Sequence, residues 1–322
     1  MYETIMAPTE ASDFENAAIE VAAKLAERFD ATLHLVQVLA LPIVAETLPQ
    51  FPATEITLQA LAEEKLLRLR KLEALGENVR ANGRVRVVTD LKEGNVNQTL
   101  ADYAKELNTN LIVMSSHCRG GLKRINLGSV TDFLIRNTNR PVLVVRADAT
   151  FASEASGTAE RRIVVPLDGS PLAEQILPEV VKLASAVSAA VTVVHVLTPQ
   201  TYSQKRIMQP GLPWWDTDME NAEAYLSWPV DYLIKHGVSA TKQVILHTDV
   251  APAILDYAAR NRVDVIAIGT NGIGGLNRFV FGTIADELTR KSPMSVLVFH
   301  PNPESADIEA NVESAAAVAT ST

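Results

Sequence analysis

The residues that decide the fold run from Val263 to Thr283 and read VDVIAIGTNGIGGLNRFVFGT. The apolar run at its start predicts a buried strand that ends in glycine, and a segment with helical spacing follows from Ile284 to Lys291. Glycines at the end of a strand let a ligand come close to the backbone, and a helix start offers free amides and a positive dipole end to an anion. The stretch therefore fits either a phosphate-binding cradle or an ordinary surface loop.

The chain also contains an internal repeat. Four pairs of segments align: 6–12 with 164–170, 31–38 with 189–196, 100–104 with 254–258, and 126–129 with 280–283. Each copy is long enough to bury a core of its own, so the repeat predicts two domains and not a solenoid. We expect the domains at residues 1–147 and 160–300, and a disordered tail of small and polar residues at 301–322.

Apolar runs alternate with helical patterns inside each copy. In the first copy we expect a long amphipathic stripe from Leu58 to Val79, and strands at 4–7, 32–38, 85–88, 111–115 and 142–145. In the second copy, Ser170 is the expected N-cap of a helix with Pro171 at its first position. This alternation predicts a parallel sheet covered by helices on both faces, which binds ligands where the strand order reverses.

Composition narrows the class of protein. Of the 322 residues, 47% are hydrophobic and 21% charged, as in soluble globular proteins. The net charge of −9 argues against nucleic-acid and membrane partners. The single cysteine, Cys118, excludes an internal disulfide, and residues 1–10 lack the basic and apolar regions of a signal peptide. We therefore expect a cytoplasmic location.

Three features together resemble the universal stress protein family in a tandem form. They are VVPLDGS at 164–170, VHV at 194–196, and Gly-x2-Gly-x9-Gly-Thr from Gly269 to Thr283. The resemblance covers both copies and implies an α/β, Rossmann-like fold with five-stranded parallel sheets, related to adenine nucleotide hydrolases, that binds ATP with Mg²⁺ or Mn²⁺. The ATP-binding residues that it implies in the second copy are Pro166, Asp168, Val196, Ile268, Gly269, Gly272, Gly282, Thr283, Ile284 and Ala285.

The first copy departs from this pattern. Glu10 stands where the second copy has Asp168, and Ser115 and Cys118 replace the first two glycines. A longer acid and a cysteine side chain crowd a site shaped for bare backbone, so we expect a degenerate nucleotide motif. The residues of this possible second site are Pro8, Glu10, Val38, Ser115, Cys118, Gly128, Ser129 and Val130.

Several alternatives remain open at the level of sequence. Asp168 is either a ligand-binding carboxylate or a turn residue before Gly169, and we expect His195 to be a structural histidine. No catalytic constellation or metal-ligand spacing is recognisable, so the metal ligands are unknown. The candidate functions are an ATP-binding stress-response regulator whose ligand sets conformation or partner choice, a slow metal-dependent ATP hydrolase, and a nucleotide-free interaction module.

The expected assembly follows from the same resemblance. Members of this family commonly pair through their last strands. The strands in question here are Val142–Val145 and Ser295–Val298. Their pairing would give either a homodimer or an intramolecular pseudo-dimer with reduced edge exposure.

Overall fold

A computed structural model describes most of the chain. The described residues are 2–10, 16–40, 55–115, 127–146, 149, 160–198, 214–270 and 281–300. The chain divides into two compact units, Met1–Gly157 and Thr158–Thr322. Gly272, Cys118 and the tail from residue 301 lie outside the described residues.

The first unit is a five-stranded parallel sheet with order β3-β2-β1-β4-β5. Its elements are β1 (Thr4–Pro8), α1 (Asn16–Phe29), β2 (Thr32–Leu39), α2 (Glu55–Asn82), β3 (Arg86–Glu93), α3 (Val96–Glu106), β4 (Leu111–Ser115), α4 (Ser129–Asn137) and β5 (Val142–Val145). The helices α3 and α4 pack against each other, and α1 packs against β1 and β4. Right-handed crossovers place these two sets of helices on opposite faces of the sheet.

The second unit repeats this architecture with strand order β10-β9-β6-β7-β8, again parallel. Its elements are β6 (Arg161–Pro166), α5 (Pro171–Glu174), α6 (Leu177–Val187), β7 (Ala189–Leu197), α7 (Trp214–Lys235), β8 (Ala240–Leu246), α8 (Val250–Arg260), β9 (Val265–Gly269), α9 (Thr283–Lys291) and β10 (Ser295–Phe299). The predicted α/β class, with two repeated parallel sheets, is confirmed.

The apolar patterns of the sequence explain the cores. Every residue of β5 is buried, as are four of the five residues in β4 and in β9. One face of α1 is buried too, through Ala18, Val21, Ala22, Leu25 and Phe29. Strands covered on both faces need continuous apolar runs, whereas a helix that packs on one side needs only a stripe.

The two units also stop their helices in the same way. Asp30 and Ser188 occupy matching repeat positions just after α1 and α6, and both have a left-handed backbone. Asn108 and Arg262 do the same just after α3 and α8. A left-handed residue ends a helix and turns the chain toward the next strand. The repeat in the sequence is therefore also a repeat of local backbone geometry.

The stripe predicted along α2 is only partly correct. Leu72 is fully buried, but Leu66 is 48% exposed, and Ala62 is exposed as well. A helical pattern indicates which residues share a face, but the neighbouring elements decide how much of that face is covered.

Among the described helices, none is long and apolar enough to cross a membrane.

Candidate functional site

The strand order of the second unit reverses between β6 and β9. From β6 the chain continues through β7 to β8 on one side, and it then returns to β9 and β10 on the other. The register pairs Ile163 with Val265 and Val164 with Ile266, so the carboxyl ends of β6 and β9 lie side by side. In parallel sheets this reversal opens the crevice where ligands bind.

A tight turn follows β6 at this crevice. Pro166 is the last residue of the strand, and the Leu167 amide still donates to the Val194 carbonyl at 2.9 Å. Gly169 then has a φ of +86°, which explains the glycine, because other residues rarely adopt this conformation. Asp168 therefore stands in the turn at the edge of the sheet.

One oxygen of Asp168 holds the turn together. The Asp168 Oδ1 atom accepts hydrogen bonds from the Ser170 amide at 3.0 Å and from the Ser170 hydroxyl at 2.6 Å. The Ser170 hydroxyl in turn accepts from the Ala173 amide at 3.2 Å, and Pro171 follows at the first helical position. The predicted N-cap at Ser170 is confirmed, and Asp168 has at least the role of a turn residue.

The start of α9 is fixed to the end of β9. The Gly282 amide donates to the Thr270 carbonyl at 2.7 Å, and a Cβ at position 282 would stand only 2.7 Å from that oxygen. Gly282 is thus required by packing, and its amide is already bonded inside the protein.

The backbone amides of the next three residues lie in the first turn of α9. Gly282 is the N-cap residue and has no side chain, so the amides of Thr283, Ile284 and Ala285 receive no hydrogen bond from an N-cap side chain. Thr283 itself is exposed. The dipole and these amides give the start of α9 the properties of an anion site at the carboxyl edge of the sheet.

The structure brings most of the predicted residues of the second unit to one edge. Pro166 ends β6 and Asp168 follows it in the turn, Val196 lies next to the last residue of β7, and Ile268 and Gly269 end β9. The start of α9 completes the set. Gly272 lies outside the described residues. In the parts of the chain that the structure describes, no three or more His, Cys, Asp or Glu side chains form a group that could hold a metal ion.

The first unit shows the same backbone plan. Pro8 ends β1, the Thr9 amide donates to the Val36 carbonyl at 2.8 Å, and Glu10 is exposed just beyond. Ser115 ends β4, and its carbonyl accepts from the Thr131 hydroxyl at 3.5 Å.

The remaining residues of the possible second site follow the same plan. Gly128 is the N-cap of α4 without a side-chain cap, and Ser129 and Val130 begin the helix. Val38 lies in β2 and is almost buried. Cys118 falls outside the described residues.

Behind the site in the second unit, His195 forms the structural contact that we expected. Its Nδ1 atom is 2.8 Å from the Leu167 carbonyl oxygen, and its ring meets the Tyr225 ring edge-on at 5.9 Å and 71°. The Tyr225 hydroxyl is buried and makes no hydrogen bond of normal geometry within the described residues. Burial, and then the nearby Glu174 carboxylate, raise the pKa of Tyr225. The sequence pattern gave no signal for Tyr225.

A polar cluster in the first unit also escaped the sequence analysis. The Tyr103 hydroxyl donates to Asp90 Oδ2 and lies 3.2 Å from His34 Nδ1, while Lys92 Nζ sits 4.5 Å from the centre of the Tyr103 ring. Burial lowers the pKa of His34, and the Asp90 carboxylate opposes this effect. Burial and the bond to Asp90 raise the pKa of Tyr103. The only sign of this cluster in the sequence is that polar residues, His34 and Asp90, stand within the patterns of β2 and β3.

Comparison with known proteins places this frame in a family. The model of the universal stress protein family matches residues 1–146 and again residues 160–300. The chain belongs to the universal stress protein family. The two matches correspond to the two halves of the repeat, so the tandem form predicted from the sequence is confirmed.

Related universal stress proteins come from archaea and bacteria. One from Methanocaldococcus jannaschii is 33% identical over 147 residues, which cover 45% of this chain and 83% of the relative. Another from Mycolicibacterium smegmatis is 24% identical over 308 residues, or 92% of this chain and 97% of the relative. The crystal structure of a universal stress protein from Archaeoglobus fulgidus covers 94% of this chain and 97% of its own, with a TM-score of 0.61 and 16% identity. This last likeness shows the fold alone.

Proposed function

We propose that the second unit binds ATP at the crevice between β6 and β9, and that nucleotide occupancy sets the conformation or partner choice of a stress-response regulator. The observation that carries this proposal is the hydrogen bond from Gly282 to Thr270. It fixes an uncapped helix start directly at the end of β9, beside the strand that leads to Asp168. A phosphate group at this point would meet several backbone amides and no opposing side chain of the N-cap residue.

The adenine and ribose side of the proposed site is the turn after β6. Asp168 and Val196 lie at the carboxyl ends of neighbouring strands, and family resemblance assigns both to this part of the ligand. Asp168 Oδ1 accepts hydrogen bonds from the Ser170 amide and hydroxyl, so the turn is held by contacts within the protein. A preformed turn supports binding because the protein loses little conformational freedom when the nucleotide arrives.

The residues present also fit a divalent cation that arrives with the nucleotide. Magnesium is usually held by substrate phosphates together with one or two carboxylates, so a dedicated protein cage is not needed. Because Asp168 stands on the adenine and ribose side, the phosphates themselves would hold the cation, and Asp168 would add negative charge at the same edge of the sheet. When bound, Mg²⁺ or Mn²⁺ would neutralise phosphate charge.

The helix start offers a test that leaves the fold intact. Thr283→Pro removes one amide from the first turn of α9, where proline is tolerated, and Gly282 already has the extended backbone that precedes proline (φ −60°, ψ 145°). If a phosphate oxygen accepts a hydrogen bond from that amide, the dissociation constant for ATP rises by roughly tenfold in the variant. This rise corresponds to a loss of about 1.4 kcal/mol of binding free energy. Isothermal titration calorimetry with Mg-ATP measures this change.

The first unit supplies a matched control. Ser129→Pro makes the same change at the start of α4, where Gly128 has nearly the same backbone (φ −64°, ψ 149°). We expect wild type to bind one ATP per chain and Ser129→Pro to leave that affinity unchanged. Wild-type protein that binds no ATP would overturn the proposal, and so would equal losses in the two variants, because they would not favour the second unit.

A further inference from the structure

The polar atoms of Leu167 are both tied to β7. Its amide donates to the Val194 carbonyl at 2.9 Å, and its carbonyl oxygen lies 2.8 Å from His195 Nδ1. A carbonyl oxygen only accepts, so Nδ1 carries the hydrogen and the tautomer of His195 is set. Leu167 itself is buried, with 4% of its surface exposed. The residue before Asp168 is therefore held through both of its backbone polar groups.

His195 is itself held in place by α7. The Tyr225 ring packs edge-on against the imidazole at 5.9 Å, and His195 lies opposite Val244 in the sheet register. These contacts restrict the ring to the orientation that reaches the Leu167 carbonyl. They also create a continuous path of contacts from α7 to the turn at the carboxyl edge.

The first unit lacks this arrangement at the same repeat position. Gln37 matches His195, and Thr9 matches Leu167. Gln37 is only 3% exposed, yet its buried Oε1 atom has no hydrogen-bond partner in the described parts of the chain. The two units thus share the bond from the amide of this residue to the second strand. They differ in the side chain that stands behind it, which is His195 in one unit and Gln37 in the other.

We propose that His195 is a positioning residue, which fixes the Leu167 carbonyl and thereby sets the orientation of the Asp168 turn for nucleotide binding. This inference rests on the proposed function of the second unit. The turn needs such a support because it passes through Gly169, which has no side chain to restrict its backbone and adopts a φ of +86°. Without the bond from His195, Leu167 would keep only its amide contact to β7, and Asp168 would sample more orientations.

Two substitutions at the same position separate the bond from the bulk of the side chain. His195→Asn places an amide nitrogen close to the position of Nδ1 and keeps a donor for Leu167. His195→Gln introduces the residue that the first unit tolerates in its core, but its amide lies further out, near the position of Nε2. We expect ATP to bind about tenfold more weakly to His195→Gln and within about threefold of wild type to His195→Asn.

Hydrogen exchange tests the positioning without nucleotide. In ligand-free protein, the Ser170 amide, which donates to Asp168 Oδ1, exchanges faster in His195→Gln than in wild type or His195→Asn. Gln37→Leu in the first unit is the control, and we expect it to change neither this exchange nor ATP affinity. If wild type binds no ATP but the exchange difference is present, the proposed function is overturned. The positioning of the Asp168 turn by His195 then still holds. Unchanged exchange and unchanged affinity in His195→Gln would overturn the positioning role.

Discussion

The carboxyl edges of the two units share a backbone plan but differ in the side chains that stand on it. Gly128 and Gly282 both serve as N-caps with φ and ψ values within a few degrees of one another. The strand ends before them differ, because Ser115 stands where the second unit has Gly269. A Gly-Ser or Gly-Thr helix start therefore belongs to the fold as a whole. The strand-end glycine is the feature that separates the proposed nucleotide site from the corresponding edge of the first unit.

The two units also differ in the polar groups on the face covered by α3 and α8. His34 in the first unit matches Thr192 in the second, and Tyr103 matches Tyr257. The first pair is joined through the Tyr103 hydroxyl, whereas Thr192 bonds across to Thr241 at 3.3 Å. Duplication preserved the apolar frame while each copy acquired its own polar contacts. Three experiments separate the shared frame from these individual additions.

The largest effect is expected from breaking the shared frame at Gly282. A valine there puts a Cβ 2.7 Å from the Thr270 carbonyl oxygen, which belongs to the backbone and cannot rotate away. We expect Gly282→Val to lower the free energy of unfolding by about 3 kcal/mol, the upper range for overpacking. Denaturant unfolding followed by circular dichroism measures the loss.

Gly83 provides the control for that experiment. An added Cβ at Gly83 would meet its nearest neighbour, Glu27, at 3.7 Å, which is ordinary van der Waals contact. Gly83→Ala should therefore change stability by no more than about 0.5 kcal/mol. If Gly282→Val were as stable as Gly83→Ala, the packing role of Gly282 would be refuted and its glycine would need a functional explanation.

The sequence predicted the frame well because apolar runs and the repeat both report it. Leu111–Ser115 and Val142–Val145 have the predicted bounds, and the helix predicted after Ser170 begins at Pro171. Each of these elements is specified locally, by composition and by turn residues such as Ser170. Local signals of this kind can be read from the sequence without knowing which residues pack against the element.

The contacts that the sequence missed all depend on a neighbour distant in the chain. Gly282 is required by Thr270, and the edge-on contact of His195 with Tyr225 joins a strand to a helix thirty residues on. Nothing in the spacing of residues indicates which carbonyl a glycine will face. The glycine motif predicted the place of the candidate site. Only the three-dimensional structure shows that Gly282 has a packing role against Thr270, as distinct from a binding role.

A smaller effect is expected from removing the hydroxyl that only one unit uses. Tyr103→Phe deletes the donor to Asp90 and the contact to His34, and hydrogen bonds to charged groups contribute about 1.5–3 kcal/mol. Asp90 is partly exposed and regains water, so we expect a loss near the lower limit, about 1.5 kcal/mol. Tyr257→Phe is the matched change in the second unit and should cost no more than about 0.5 kcal/mol. Equal losses would mean that the hydroxyl stabilises through burial and not through the cluster.

The smallest effect is the pH dependence that His34 adds to the first unit. Burial lowers the pKa of folded His34 below its ordinary value of 6.5, and the Asp90 carboxylate, 3.9 Å away, offsets part of this shift. Above pH 6.5 both the folded and the unfolded chain hold a neutral imidazole, so His34 adds no pH dependence. As the pH falls below that value, the unfolded chain takes up the proton first and stability is lost. The loss stops growing once the pH passes the lowered folded pKa.

His34→Asn isolates this contribution, because asparagine keeps a donor near the position of Nδ1 for the Tyr103 hydroxyl but does not titrate. Wild type should lose more unfolding free energy than His34→Asn when the pH is lowered from about 7.5 to about 5. Every other histidine is present in both proteins, so its contribution cancels in the difference, and the second unit has Thr192 at the position that matches His34. If wild type instead gained stability relative to His34→Asn in acid, attraction to Asp90 would outweigh burial, and the folded pKa of His34 would lie above 6.5. An NMR titration of the His34 ring decides between these two outcomes directly.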